Sequence, residues 1–357
     1  MKSNNKFNGK LSKVLGLIIA VVMILTSFTA CTIKEKNENV GNESSMLNTV
    51  SDSKDGTTSE KTSDNNESGK QNVIYPLIVK DVKGTEMTIE KKPSKIVSLT
   101  LTSDEMLLSL VEENRIAAVS HISVDPGLSN VAEEAEKIPV KAKLELESLI
   151  ALQPDLIIVS DFTDQNAIKQ LRDAKIVVYV MAIPNNIEQV KNAVSELANL
   201  VGEEQNGQDI IAWMDSKLKA IDDKIKTLKE EQKVKAMSYD SFQCTHGKGT
   251  TFDDIAKHAG VTNMASEAGM EMWPEISKEK IIDMNPEALF LPSWSYEGFD
   301  AEKYTEDFKN DKSLAGVKAI KNNKVFNLPE AHMITTSQYI VLGVEDMAKV
   351  VYPELFK

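Results

Sequence analysis

The sequence predicts an α/β protein of two doubly wound, Rossmann-like lobes connected by a single long α-helix, and three observations lead to that prediction. Short apolar runs alternate with amphipathic helical stretches, as parallel strands covered on both faces by helices require. The alternation breaks once, at a long stretch with a single apolar seam, and then resumes. One supersecondary unit occurs twice, as ESLIALQPDLIIVS at 147–160 and EKIIDMNPEALFLP at 279–292, so two similar lobes are expected.

The folded part does not begin at residue 1. Lys2, Lys6, Lys10 and Lys13 precede the apolar run VLGLIIAVVMIL, roughly twelve residues long and short of the twenty or so that a membrane span needs. Residues 1–30 therefore read as a secretory signal. The stretch SFTAC resembles the cleavage site of bacterial lipoproteins, with Phe28 where an aliphatic residue is usual, and this makes Cys31 the expected lipidated residue. Cys244 is the only other cysteine, so no disulfide framework exists and the fold must stand on its core. Residues 31–72 are rich in Ser, Asn, Thr, Lys and acids and lack aromatics, which predicts a disordered, lipid-anchored tether. Without residues 1–30 the chain keeps 37 basic residues against 54 acidic ones, a formal charge of −17, and nucleic acid is excluded as a partner.

From residue 73 an N-terminal α/β lobe is expected to run to 202. KIVSL at 95–99, IAAVS at 116–120, DLIIVS at 155–160 and IVVYV at 176–180 read as its strands. Thr102 with Glu105 three residues on has the spacing of a capping box. NIEQVKNAVSELANLVG reads as a helix ending at Gly202. Ile211, Met214, Leu218, Ile221, Ile225 and Leu228 then mark one face of a connecting helix over about 204–230 within the linking segment 203–231. A C-terminal α/β lobe follows over 232–357, with VKAMSY, the helix TTFDDIAKHAG, the second repeat unit, KVFNLP and the closing helix SQYIVLGVEDMAKVVYP.

At this point the sequence resembles the bacterial substrate-binding proteins of ABC importers that take up iron complexes and cobalamin. KIVSLTLTSDEMLLSL, LESLIALQPDLIIVS, GKGTTFDDIAKHAGVTN, WPEISKEKIIDMNPEALFLPS, LAGVKAIKNNKVFNLP and GVEDMAKVVYPELF carry the resemblance, in the expected order from residue 73 to 357. It implies a monomeric extracytoplasmic receptor, lipid-anchored at the cell membrane, that delivers a small-molecule metal chelate to an ABC permease dimer with its ATPase. In that family one glutamate on each lobe pairs with permease arginines, and the matching positions are Glu147 and Glu279, each seven residues before its proline. A glutamate in a first helical turn also suits the macrodipole, so the shared offset is what favours docking.

Ligands of open α/β lobes bind outside the carboxyl ends of the strands. Thr100, Thr102, His121, Phe162, Met181, Tyr239, Phe242, Trp294, Tyr296, His332 and Met333 fall there, and Trp273 lies just before the second repeat unit. Aromatics gathered behind strands suit a flat or apolar ligand, and core packing explains any one of them equally well. Arg115 and Arg172 are the only arginines and read as loop or helix surface, which disfavours a strongly anionic catecholate. A corrinoid or a ferric siderophore is the expected cargo, ahead of haem, for which His121, His246, His332, Met181 or Met333 would have to supply the axial ligand. His258, inside the DDIAKHAG helix, reads as structural.

No intrinsic cofactor is expected, and an enzyme is not indicated. There is no G-x-S-x-G elbow and no H-E-x-x-H, the lysine of HGKGTT is followed by glycine, and Cys244-x-His246 lacks further partners. The alternatives are a lipoprotein binding bare zinc or manganese, which needs three or four converging His and carboxylate ligands, and a surface sensor or adhesin without transport.

Overall fold

The computed structural model describes residues 73–357; the signal segment 1–30, Cys31 and the tether 31–72 lie outside them. The described part opens with an antiparallel hairpin, β1 (Leu77–Lys80) and β2 (Glu86–Ile89). Its turn is held by Asp81, whose carboxylate accepts the Lys83 and Thr85 amides and pairs with Arg172 at 2.6 Å. The sequence offers no strong period-2 signal there, and the hairpin was not anticipated as a separate element.

The first sheet contains β3 (Ile96–Ser98), β4 (Ile116–Ser120), β5 (Lys141–Ala142), β6 (Leu156–Ser160) and β7 (Val178–Met181), all parallel, in the order β5-β4-β3-β6-β7. The second contains β8 (Lys235–Ser238), β9 (Thr262–Asn263), β10 (Ala288–Phe290) and β11 (Val325–Phe326), also parallel, in the order β11-β10-β8-β9. Both are doubly wound: each begins in the middle of its sheet and grows outward in both directions, as the fold class predicted. Strands β5 and β9 are two residues long, too short for any periodic pattern.

The helix Leu101–Leu110 departs from expectation at its start. Thr100, not Thr102, is the N-cap, its hydroxyl accepting the Ser103 amide at 3.0 Å. Glu105 consequently lies in the second turn, faces inward and forms no capping box. The helix Ile187–Val201 does end at Gly202, which takes the left-handed conformation at φ 71° that glycine adopts without steric cost.

The connecting helix spans Glu204–Ile225, 22 residues or about 33 Å at 1.5 Å each, and stops short of the expected 230. Past Ile225 the chain tightens, the Leu228 amide bonding the Ile225 carbonyl at 2.8 Å while the Leu228 side chain turns to cover Gly260. Gly207 lets this helix approach its predecessor closely, since a Cβ there would sit 2.5 Å from that of Ala198. Met214, Ile221 and Ile225 are buried, and Ile211, Leu218 and Leu228 partly so. They belong to a core that runs without interruption from Leu107 and Val194 in the first lobe to Ala256, Val344 and Met347 in the second. The lobes are thus packed on a common spine rather than strung on a linker.

Candidate functional site

In a sheet that grows both ways from its first strand, the loops leaving two adjacent strands go to opposite faces and open a crevice between them. Here those points lie between β3 and β6 in the first lobe and between β8 and β10 in the second. Loops from the two sheets meet: Gly127, beyond β4, lies against Trp294, beyond β10, where a Cβ would stand 2.2 Å from the indole Cδ1. Only glycine fits that approach.

The expected ligand residues divide into three groups. Phe162, Phe242 and Trp273 remain 77%, 61% and 56% exposed, and His121 is exposed with them. Apolar rings of that size in open water are available for contact. Trp294 and Tyr296 form the second group, half-buried and stacked at 4.9 Å between ring centroids. The ladder continues through Phe299 at 5.1 Å and Tyr304 at 5.4 Å. The third group is committed to the fold. Thr100 caps its helix, Thr102 shares a hydroxyl hydrogen bond with Thr336, and Tyr239 is buried against Phe308 at 5.6 Å. Met181 is buried, and the His332 ring has its Nδ1 2.6 Å from Asp346 Oδ2.

Behind the cleft, Ser238, His246, Phe252, Phe290, Leu328, Glu330 and Met333 line a cavity of about 50 Å³. That is room for a water or two and not for a chelate. The polar floor of the first lobe is different. Asp104 is fully buried, its Oδ2 accepting the Ser120 amide at 3.0 Å and the Ser120 hydroxyl, while Oδ1 has no partner. Burial pushes the Asp104 carboxyl up to about 7, against the opposing pull of those serine hydrogen bonds.

Both arginines lie at a turn and on a helix as expected, partly exposed, but neither is a free cation. Arg115 donates to the carbonyls of Pro93 and Val201 and pairs with Glu203, and Arg172 donates to the Val178 carbonyl and pairs with Asp81. Both guanidinium groups knit chain segments together and neither is free to meet cargo. Burial pushes the Cys244 thiol up, away from the thiolate that a nucleophile or metal ligand needs. Among the described residues no three His, Cys, Asp or Glu side chains gather as they would around a metal ion.

The repeat is structural as well as sequential. Leu149 and Ile281 are buried, Ile150 and Ile282 stay 41% and 38% exposed, and Pro154 and Pro286 are buried again. Gln153 and Asn285, just before the prolines, both take positive φ, 50° and 49°. Asp155 and Glu287, just after them, both accept a backbone amide at the start of a neighbouring strand, from Lys95 at 3.0 Å and from Lys235 at 3.2 Å. Glu147 and Glu279 occupy the first turns of the helices Leu146–Ala151 and Lys278–Met284, both exposed. The Ser277 hydroxyl beside Glu279 holds its carboxyl below the usual range. Helices that return between parallel strands begin at the strands' carboxyl edge, so each glutamate lies toward the cleft side of its lobe.

One group escaped sequence reasoning. Glu105, Asn130, Thr335, Ser337 and Gln338 form a buried polar seam between the lobes. The signal for it was an acidic pair, Asp104 and Glu105, within the polar first half of a helix that follows an apolar strand, together with the polar run TTSQ at 335–338.

Residues 96–332 match the model of a family described as periplasmic binding protein. An uncharacterized ABC transporter substrate-binding lipoprotein of Bacillus subtilis, YvrC, is 25% identical over 290 residues, covering 80% of this chain and 88% of the relative. A vitamin B12-binding protein of Vibrio campbellii is 27% identical over 239 residues, covering 66% and 80%. The molybdate-binding protein MolA of Haemophilus influenzae, solved with molybdate bound, superposes with a TM-score of 0.66 at 21% identity over 78% of this chain and 92% of its own, a likeness of fold.

Proposed function

The chain belongs to the periplasmic binding protein family, whose members bind solutes for ABC importers and are not enzymes, and we propose that its cargo is a bulky, neutral metal chelate, a corrinoid or a ferric hydroxamate. The observation that carries this reading is the pairing of aromatic surface with an absence of arginine. Trp294, Tyr296, Phe162, Phe242 and Trp273 offer ring faces, while both guanidinium groups are spent inside the fold. An oxyanion or a ferric catecholate calls for fixed cationic donors; a corrinoid, with its flat apolar macrocycle and neutral amide rim, does not. The vitamin B12-binding relative supports the same choice. Haem is the third choice; His332, whose Nδ1 holds Asp346 and whose Nε2 is thereby oriented outward, and the exposed His121 would be its candidate axial ligands.

The lobes, 73–202 and 232–357, bracket the spine helix of the segment 203–231, and Cys31 with the tether 31–72 holds them at the outer face of the cell membrane. The lipoprotein relative supports that anchor. Glu147 and Glu279 dock a two-fold permease, and no covalent step is required. Exposed ion pairs are individually weak, so their contribution lies in steering and register.

The test is quenching of the intrinsic tryptophans by cyanocobalamin, cobinamide, a ferric hydroxamate, haemin and zinc, with inner-filter controls. Saturable, tight binding of a corrinoid or hydroxamate is the expected result. Binding of zinc alone would transfer the protein to the bare-metal class, and binding of none would leave a sensor or adhesin.

A further inference from the structure

Glu105 is only 1% exposed, yet its charge is met by hydroxyls and amides rather than by a cation. Oε1 accepts the Asn130 amide at 2.8 Å and Asn130 Nδ2 at 2.9 Å, both from the first lobe. Oε2 accepts the hydroxyls of Thr335, at 2.7 Å, and Ser337, both from the second. A carboxylate offers about four lone-pair sites, and all are taken. Around this centre Gln338 Nε2 donates to the Glu105 carbonyl at 2.8 Å and Asn130 Nδ2 to the Ala331 carbonyl at 2.7 Å. The Thr102 and Thr336 hydroxyls meet alongside.

The place of this cluster gives it meaning. The helix carrying Glu105 starts where β3 ends, and the segment 331–338 follows β11, so the seam joins the carboxyl edges of the two sheets, the same edges that form the cleft. A buried carboxylate without a counter-ion is tolerated only while its hydrogen bonds are complete. If the lobes slide or part by an ångström or two, the Thr335 and Ser337 bonds stretch beyond hydrogen-bond range and leave a buried charge half met. Apolar packing along the spine helix is less sharply directional, because it is the sum of many individually weak contacts.

We propose that Glu105 is a positioning residue for cargo binding, a clasp that fixes the separation at which the cleft residues of the two lobes face each other. The spine helix supplies connection, and the clasp supplies the angle. The link to cargo rests on the binding role proposed above, whereas the clasp itself can be tested without any ligand.

The experiment measures the distance between spin labels on cysteines placed at Ser148 and Lys280, exposed positions of the two repeat helices, in the full chain with Cys31 and Cys244 replaced by serine. The parent should give one narrow distance distribution. Glu105→Ala and, from the opposite lobe, Ser337→Ala should each broaden or shift it by several ångströms, and the two together should do little more than the stronger alone. Glu105→Gln, which keeps the shape and one acceptor, should retain most of the narrow component. Should Glu105→Ala fail to fold, Ser337→Ala still decides the matter. A lowered melting temperature with an unchanged distribution in the alanine variants would make Glu105 an ordinary buried group and overturn the clasp. Because no cargo enters this measurement, its failure is distinct from failure of the titration.

Discussion

The cleft-side rims of the two lobes and their inner floors make opposite comparisons. Along the rims, 147–158 and 279–290 agree in burial, in the left-handed corner before the proline and in the acid that follows it. The floors share a buried serine at the end of the first strand, Ser98 and Ser238, and otherwise differ. In the first lobe Ser98 and Ser120, at the ends of β3 and β4, bond Ser103 and Asp104 of the helix that follows β3, while in the second rings pack on one another, Phe252 on Phe290 at 5.7 Å and Phe290 on Phe326 at 5.6 Å. A partner with two-fold symmetry constrains both rims alike, whereas a cargo with unlike ends constrains the floors separately.

The largest expected effect probes the polar floor. Asp104 is raised in the folded state to about 7 from 3.8, so its favourable share of stability is complete below about pH 4 and is lost as the pH rises through 7. At 1.36 kcal/mol per pH unit the loss is about 4 kcal/mol. Asp104→Asn removes it, so urea unfolding should show the variant gaining on the parent steadily between pH 4 and pH 7. A constant difference across that range would mean that Asp104 titrates normally and that the first floor is not the strained one.

Next come the rims. Glu147→Ala with Glu279→Ala should cut uptake of the cargo more than about tenfold in low salt and leave its affinity unchanged. Loss of affinity instead would place these residues with the floors and erase the comparison. Trp294→Ala, on the aromatic side, should weaken cargo binding roughly tenfold by titration while sparing permease stimulation. The smallest effect sharpens the rims. Ile150 and Ile282 lie three residues beyond the glutamates, hence on the same helix face, and both are exposed. Replacing both with serine should reduce uptake roughly fivefold through lost apolar contact, and unlike the glutamate effect this one should persist at high salt.

Strands β3, β4, β6 and β7, the left-handed Gly202 and the two-lobe plan were legible because each follows from local periodicity or a single residue's conformational preference. The end of the spine helix was not, because Leu228 continues the apolar period and is diverted only by the presence of Gly260 in another segment. The site divided in the same way. Position after a strand selected Trp294, Tyr296 and Phe162, whose rings keep accessible surface, and equally Thr102 and Tyr239, whose partners Thr336 and Phe308 are distant in sequence and decide that they face inward. Glu105 was misread as half of a capping box for the same reason, its four acceptors being filled from residues 130, 335 and 337.

The shared core and the clasp draw heavily on one short stretch late in the chain. Ile340, Val344, Met347 and Val351 pack into the common spine, the Tyr352 hydroxyl donates to the Gly260 carbonyl, and Thr335 and Ser337 complete Glu105. A nascent polypeptide lacking these residues has every strand of both sheets but a connecting helix bare on one side and an unsatisfied carboxylate at the seam. Assembly is therefore held back until the last few dozen residues emerge, since the sequence-distant contacts that seal it have no earlier substitute. A chain whose two lobes are sealed together only by its final turns is suited to being threaded through a translocation channel before it folds.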